Sequence, residues 1–249
     1  MDAWTKLSQG MSDFGLTPSS LVVEKFQSYY EQLVEKNKVM NLTAITKEEE
    51  VVEKHFLDSL AILHFFDLNN AKKVIDIGTG AGFPGFPLQI YRQFVTNQAY
   101  ELTLLDSLEK RIKFLKEVAD NLELTNLEYL HGRAEDFGRN EAYREQYDLC
   151  VSRAVANLAT LSEYCLPFVK VGGKFIAYKA GNSQEEIQEA KFAIGLLGGK
   201  ITRVSEFKLP DSDMERVFVE ITKLHSTKKI YPRKAGTPSK KPLGKKELL

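Results

Sequence analysis

A chain of 249 residues, 43% hydrophobic and 27% charged, is long enough to bury a core without disulfide or metal staples. No apolar run approaches the roughly 18 residues of a membrane span, the best candidate being Leu60–Phe66, and Met1–Lys6 lacks the basic-then-apolar pattern of a secretion signal. The 34 basic and 34 acidic residues cancel, and Cys150 and Cys165 alone make no disulfide framework, which favours the cytoplasm.

The N-terminal part reads as helical. Thr17-Pro18 offers an N-cap followed by proline at the first helical position. Leu21, Val22, Phe26, Tyr29, Tyr30, Leu33 and Val34 then recur at three- and four-residue spacing, the apolar face of a helix within a hairpin over residues 16–43. A second helix is predicted from Glu48 to Phe66, with Val51, Val52, Phe56, Leu60 and Leu63 inward. Residues 1–70 are expected to form a helical extension.

From Lys72 onward short β-rich runs alternate with helical stretches. Strand candidates are Val74–Ile77, Glu101–Leu105, Leu127–Leu130, Asp148–Ser152 and Lys174–Tyr178, and helices start near Phe86, Leu108, Leu158 and Gln184. That alternation implies βαβ units around a buried parallel sheet. Gly199–Phe207 and Arg216–Thr222, joined through the polar turn Leu209–Asp213, read as an antiparallel hairpin at the sheet end. The expected fold class is α/β, a doubly wound, mostly parallel, seven-stranded sheet over residues 71–224.

The first strand candidate runs into Asp76-Ile77-Gly78-Thr79-Gly80-Ala81-Gly82. Glycines let a ligand press against the backbone and make unusual dihedrals cheap, and the first strand-to-helix turn of a doubly wound sheet is where nucleotide-like ligands sit. The spacing is G-x-G-x-G rather than the dinucleotide G-x-G-x-x-G. Asp76 before it would repel a pyrophosphate and suits a ligand with an ammonium group, such as S-adenosylmethionine. Asp106 ends the next strand candidate, 28 residues after Gly78. It admits two readings: acceptor for ribose hydroxyls, or cap of the helix near Leu108. The loop His131–Asp136 after the third strand either borders an adenine or is simply a solvated turn, and Arg153 after the fourth places a cation on the same edge.

The last segment breaks the charge balance. From Lys223 to Leu249 nine basic residues face one acid, a net of +8, so the other 222 residues carry −8. Residues 225–249 are expected to be a basic, flexible tail, either merely solvated or in contact with a polyanion.

These features together resemble the class I S-adenosylmethionine-dependent methyltransferases, Rossmann-like in fold. More narrowly they are similar to the RsmG (GidB) family, which methylates N7 of a guanine in bacterial 16S ribosomal RNA. The resemblance is carried by Met40–Ile45, Lys54–Ser59, the glycine loop through Phe83-Pro84-Gly85, Gly132–Glu135, Ser152–Ala156 and Tyr231–Pro238, and spans about residues 20 to 243. Ala235 stands where that family's tail motif has proline. The resemblance implies cofactor contacts at Gly78, Phe83, Ala134, Glu135 and Arg153, with S-adenosylmethionine as cofactor. Asp76, Gly80 and Asp106 join these from the loop argument. It also implies a small-subunit rRNA substrate near the decoding centre, naked or in the subunit. A monomer is expected.

The chemistry agrees with that target. Methyl transfer from a sulfonium needs position more than proton transfer, and guanine N7 has no proton to lose, so no general base is expected. An Asn or Asp followed by Pro-Pro-Tyr, typical of exocyclic amine methylases, is absent after the fourth strand, where Ser152-Arg153-Ala154-Val155 stands. Cys150 and Cys165 lie in apolar runs and read as core thiols, not nucleophiles. The four histidines make no metal-ligand spacing, and His55 either borders the site or orders the helices. Arg111, Lys113 and Lys116 read as a solvated helix face. Candidate RNA contacts are Arg153, Lys179, Lys228, Lys229, Arg233 and Lys234. Two rivals stand beside this reading, a methyltransferase of another substrate and a non-catalytic ribosome-binding module. A nicotinamide enzyme is disfavoured by the glycine spacing.

Overall fold

The computed structural model describes residues 2–154 and 156–244. Val155 and the terminal Lys245, Lys246 and Glu247 therefore lie outside the described residues. The chain opens with helices α1 (Ala3–Asp13) and α2 (Ser20–Met40). The α2 cap is Ser19, whose Oγ accepts from Val22 N at 3.3 Å, two residues beyond the expected Thr17. The predicted helix over 48–66 is interrupted. It runs as α3 (Glu48–Val51), a π-helical turn (Val52–Leu57), α4 (Asp58–Leu60) and α5 (Ile62–Phe65). Single π turns cluster at functional sites because the extra residue re-aims a side chain.

The alternating part follows as β1 (Lys73–Ile77), α6 (Gly85–Phe94), β2 (Glu101–Asp106), α7 (Glu109–Leu122), β3 (Leu127–His131), α8 (Ala134–Phe137), β4 (Tyr147–Ser152), α9 (Leu158–Cys165), β5 (Val169–Ala180), α10 (Gln184–Leu196), β6 (Gly199–Lys208) and β7 (Glu215–Lys223), before the short α11 (Thr237–Lys240). The seven strands form one sheet in the order β3-β2-β1-β4-β5-β7-β6. The first five strands pair with one another in parallel. Strand β7 inserts antiparallel between β5 and β6, with Ala177 and Val204 flanking Val219. The order reverses between β1 and β4, so the loops after these strands diverge and leave a crevice at their carboxyl ends.

Strand alternation divides the interior into two cores. Val74, Leu102, Leu104, Val151, Ile176 and Phe218 pack under the N-terminal helices, α6 and α7. Ile75, Ile77, Leu105, Cys150, Phe175 and Val219 pack under α9 and α10. Both cysteines are buried and unoxidised, and burial pushes the Cys150 thiol well up, as inert core thiols require.

The segment expected to be a flexible tail is instead strapped down over its described residues. Arg233 forks onto the buried Glu163 at 2.8 Å, and Arg144 donates to the carbonyls of Thr227 and Tyr231. Thr160 donates to Pro238 O, and Tyr231, Pro238 and Leu243 are buried. A high lysine count does not reveal these anchors, because they are made by backbone carbonyls, one arginine and a few apolar side chains.

Asp76 follows from the same alternation. With Ile75 and Ile77 on one face, Asp76 points with Val74 to the other, fully buried. Its Oδ2 accepts from Thr79 Oγ1 at 2.8 Å and Gly85 N at 2.9 Å, while Oδ1 has no partner among the described residues. Burial raises its pKa from 3.8 to about 7. The folded state thus holds this proton more tightly than the unfolded chain, so stability falls as pH rises through the window from about 4 to about 7. Asp76→Asn keeps an acceptor for both donors and has no charge to desolvate. Its melting temperature relative to wild type should rise between about pH 5 and about pH 8, in line with that window. An equal difference at both pH values would contradict a buried, titrating carboxylate.

Candidate functional site

A cavity of about 380 Å³ opens at the carboxyl edge of the sheet. The turn after β1 gives it Gly78, Gly80 and Phe83, the end of β2 gives Asp106, the turn after β3 gives Ala134 and Glu135, and the turn after β4 gives Arg153. The structure thus brings together seven of the eight expected cofactor positions. Asp76 is the exception. It lies beneath the loop and braces it from the far face.

The glycines of the loop do different jobs. Gly78 and Gly80 have φ of +71° and +63°, and a Cβ on Gly80 would meet nothing closer than 3.9 Å. That space is open for a ligand against the backbone. A Cβ on Gly82 would instead lie 2.6 Å from Tyr29 Oη and 2.9 Å from Leu115, so this glycine serves packing. Tyr29, from α2, donates to Ala81 O and stacks on Phe83 at 5.3 Å. The N-terminal helices therefore hold the cofactor loop from outside the βα core.

Asp106 holds the turn ahead of α7 and the glycine loop with one carboxylate. Oδ1 accepts from Leu108 N at 2.9 Å, ahead of α7, and Oδ2 accepts from Gly80 N at 2.9 Å. Arg111 pairs with it at 3.2 Å. Arg111 was read as a solvated cation but lines the cavity, because the first turn of α7 faces back over the loop. Glu135 lines the cavity too, with Oε1 accepting from Gly236 N at 2.8 Å, so the C-terminal strap meets the site directly.

At the other end of the cavity Arg153 organises a cluster from the interrupted helix. Its Nη1 donates to Asp58 Oδ2 and to Lys54 O, each at 3.0 Å, and its Nη2 donates to His55 Nδ1 at 3.1 Å. Its guanidinium lies 5.1 Å from the Phe83 ring, on which His55 stacks at 4.5 Å. Asp58 is 4% exposed and is shared with Arg216 Nε at 2.9 Å. Burial and the Arg153 charge lower the His55 pKa to about 3, so the imidazole is neutral. Thr43 lines the cavity beside it. Thr43 belongs to the segment Met40–Ile45, whose pattern carries no sign of its place in the site. The π turn that delivers His55 leaves no apolar-period signature.

The expected RNA contacts divide. Lys179 Nζ is occupied by Ala156 O at 2.8 Å and Glu186 at 2.6 Å, which ties β5 to α10. Arg233 is held by Glu163. Both are structural anchors in this fold, Lys179 on a half-buried carboxylate and Arg233 on a fully buried one. Lys228, Lys229 and Lys234 are exposed along the strap. Among the described residues no group of three or more His, Cys, Asp or Glu could hold a metal, and no helix is long and apolar enough to cross a membrane.

Comparison with known proteins agrees with this site. The model of the GidB family, rRNA small subunit methyltransferase G, matches residues 22–215. The ribosomal RNA small subunit methyltransferase G of Lachnoclostridium phytofermentans is 48% identical over 242 residues, covering 96% of this chain and 97% of that protein. That of Clostridium tetani is 47% identical, covering 95% and 97%. Among solved structures, the YcgJ protein of Bacillus subtilis superposes with a TM-score of 0.51 over 69% of this chain and 100% of its own, at 13% identity, a likeness of fold alone. The family match and the near-full-length relatives carry the assignment: the chain belongs to the GidB family and is a ribosomal RNA methyltransferase.

Proposed function

We propose that this protein transfers the methyl group of S-adenosylmethionine to N7 of one guanine in small-subunit (16S) ribosomal RNA, near the decoding centre. It acts as a cytoplasmic monomer on naked rRNA or on the small subunit. One observation carries the choice of N7. The carboxylates and the imidazole that line the cavity are engaged by internal partners: Asp106 by Gly80, Leu108 and Arg111, Glu135 by Gly236, and His55 by Arg153 and Thr43. None is placed as a general base. Methylation of an exocyclic amine must dispose of a proton, whereas guanine N7 attacks with a free lone pair.

S-adenosylmethionine supplies a methyl carbon already activated by its sulfonium. The open backbone at Gly80 suits close ligand approach. Ala134 and Glu135 border the adenine end, two strands from β1 on the β3 side. Phe83 and Arg153 border the methyl-donor end on the β4 side. Asp106 acts chiefly as the tether of Gly80 and Asp76 as a brace beneath the loop. Catalysis is then orientation of base and donor in line, held by a rigid wall. Arg153 does not act as a bare cation toward the methylated base, because Asp58 shares its charge.

The direct test is transfer of tritiated methyl from S-adenosylmethionine to unmodified small ribosomal subunits and to deproteinised 16S rRNA. The product is mapped by N7-methylguanine-specific strand cleavage. Label at one guanine is expected; measurable cofactor affinity without RNA labelling would remove the rRNA substrate from this reading.

The glycines separate binding from folding. Gly80→Val should lower S-adenosylmethionine affinity at least about 100-fold, because its side chain enters ligand space, and should lower the melting temperature only by the strain of a β-branched residue at φ +63°, with no added overlap. Gly82→Val should destabilise the fold, because its side chain meets Tyr29 and Leu115. Calorimetry and thermal melts on both variants check the contrast.

Phosphate contacts are assigned to Lys228, Lys229 and Lys234. Reversing all three to glutamate leaves the strap anchors in place. It should weaken RNA binding and flatten the log–log salt slope by up to about 2 to 3. An unchanged slope would return these lysines to a merely solvated face.

A further inference from the structure

Thr43 stands in the cavity wall with its hydroxyl oxygen fully used on one side. Its backbone N–H donates to Asn37 Oδ1 at 2.9 Å, so the residue does not swing. Its Oγ1 accepts from Ile45 N at 3.0 Å and lies 2.9 Å from His55 Nε2. The direction of that second bond is set by Arg153. A guanidinium only donates, so His55 Nδ1, 3.1 Å from Arg153 Nη2, must accept. Lys54 O also lies 3.2 Å from that nitrogen, but a proton on Nδ1 would leave no lone pair for the N–H that Arg153 Nη2 donates to it. The His55 proton is therefore on Nε2 and is donated to Thr43. A hydroxyl has two lone pairs and one proton. Both lone pairs of Thr43 are taken, and its proton has no acceptor among the described residues.

The relay Arg153–His55–Thr43 thus leaves a one-way donor at the methyl-donor end of the cavity. Guanine presents two acceptors on its Hoogsteen edge, N7 and O6, whereas adenine presents N7 beside the N6 amino donor. Resting on the N7 reading above, we propose that the Thr43 hydroxyl donates to O6 of the target guanine, and that the relay makes this hydroxyl unable to accept from an adenine amino group. Thr43 is then a specificity-determining residue and His55 its positioning residue. The neutral His55, well below its ordinary pKa, keeps this arrangement through the physiological pH range. Because positive charge develops on the base as N7 takes the methyl carbon and the C–S bond releases its pair to sulfur, O6 becomes a poorer acceptor along the reaction. The contact therefore favours binding and selection over the chemical step.

The test uses the full-length enzyme and unmodified 16S rRNA, with guanine or 2,6-diaminopurine at the position the wild type methylates. Diaminopurine keeps N7 and replaces O6 by an amino group. Wild type should methylate guanine and strongly reject diaminopurine. Thr43→Val should raise KM for RNA roughly tenfold, with kcat and S-adenosylmethionine affinity little changed, and should narrow the preference for guanine; Thr43→Ser should restore both. His55→Phe keeps a ring on Phe83 but frees a lone pair on Thr43, so its ratio of guanine to diaminopurine turnover should fall below the wild-type ratio whatever the change in rate. Wild-type selectivity in Thr43→Val, or weaker S-adenosylmethionine binding with RNA kinetics unchanged, overturns the inference. Transfer by the wild type to an atom other than guanine N7 overturns the reading beneath it, and the inference with it.

Discussion

The site depends on one buried carboxylate. Asp58 sits between Arg153 from the turn after β4 and Arg216 from β7, at 3.0 and 2.9 Å. Three parts of the chain that are distant in sequence meet there: the interrupted helix of the N-terminal extension, the topological switch point and the antiparallel strand. Loss of one partner from a buried pair costs on the order of 3–5 kcal/mol, because it strands a charge. Here it would also release the guanidinium that lies over Phe83 and sets the proton of His55. The extension is therefore part of the site. Tyr29 reinforces the same join from α2 by bonding to Ala81 and stacking on Phe83.

At the other end of the cavity a lining residue is braced by the C-terminal strap. Glu135 receives a backbone N–H from Gly236, and Arg233 anchors on Glu163 within α9. The βα core supplies the glycine loop and the acid of β2, while the N-terminal extension walls one end of the cavity and the C-terminal strap braces Glu135 at the other. This explains why a core shared with many folds gives a likeness as weak as a TM-score of 0.51, while relatives with the same extensions match over nearly the whole chain. A common sheet fixes where a ligand sits, and the added segments decide what lies beside it.

Much of the fold was legible because parallel strands buried on both faces read as short apolar runs. Val74–Ile77 and Asp148–Ser152 each fall within one residue of the observed β1 and β4. Helix α1 left no reading, since Ala3, Leu7 and Met11 make a sparse stripe among polar residues. The π turn was invisible for a stronger reason: an inserted residue shifts the apolar period without changing composition. Lys179 and Arg233 were read as RNA contacts because sequence shows a charge but not its partner. Each is occupied by an acceptor from an element far along the chain. The tail misled in the same way, since its net charge says nothing of the carbonyls of Thr227 and Tyr231 that Arg144 gathers.

The absence of a placed base and the crowding of hydrogen bonds around the cavity have one physical cause. A reaction whose nucleophile is a free lone pair and whose electrophile is already charged has no proton to manage. Mobile titratable groups would add reorganisation without benefit. Fixed dipoles, in contrast, act at no reorganisation cost during the reaction. Asp106 is held by Gly80, Leu108 and Arg111, and Glu135 by Gly236. His55 is held between Arg153 and Thr43. Each of these side chains would swing if left alone, and each is held as a stationary part of the wall. Near-attack alignment depends on sub-ångström placement. A wall with its polar atoms committed holds that placement better than one with a free acid or base.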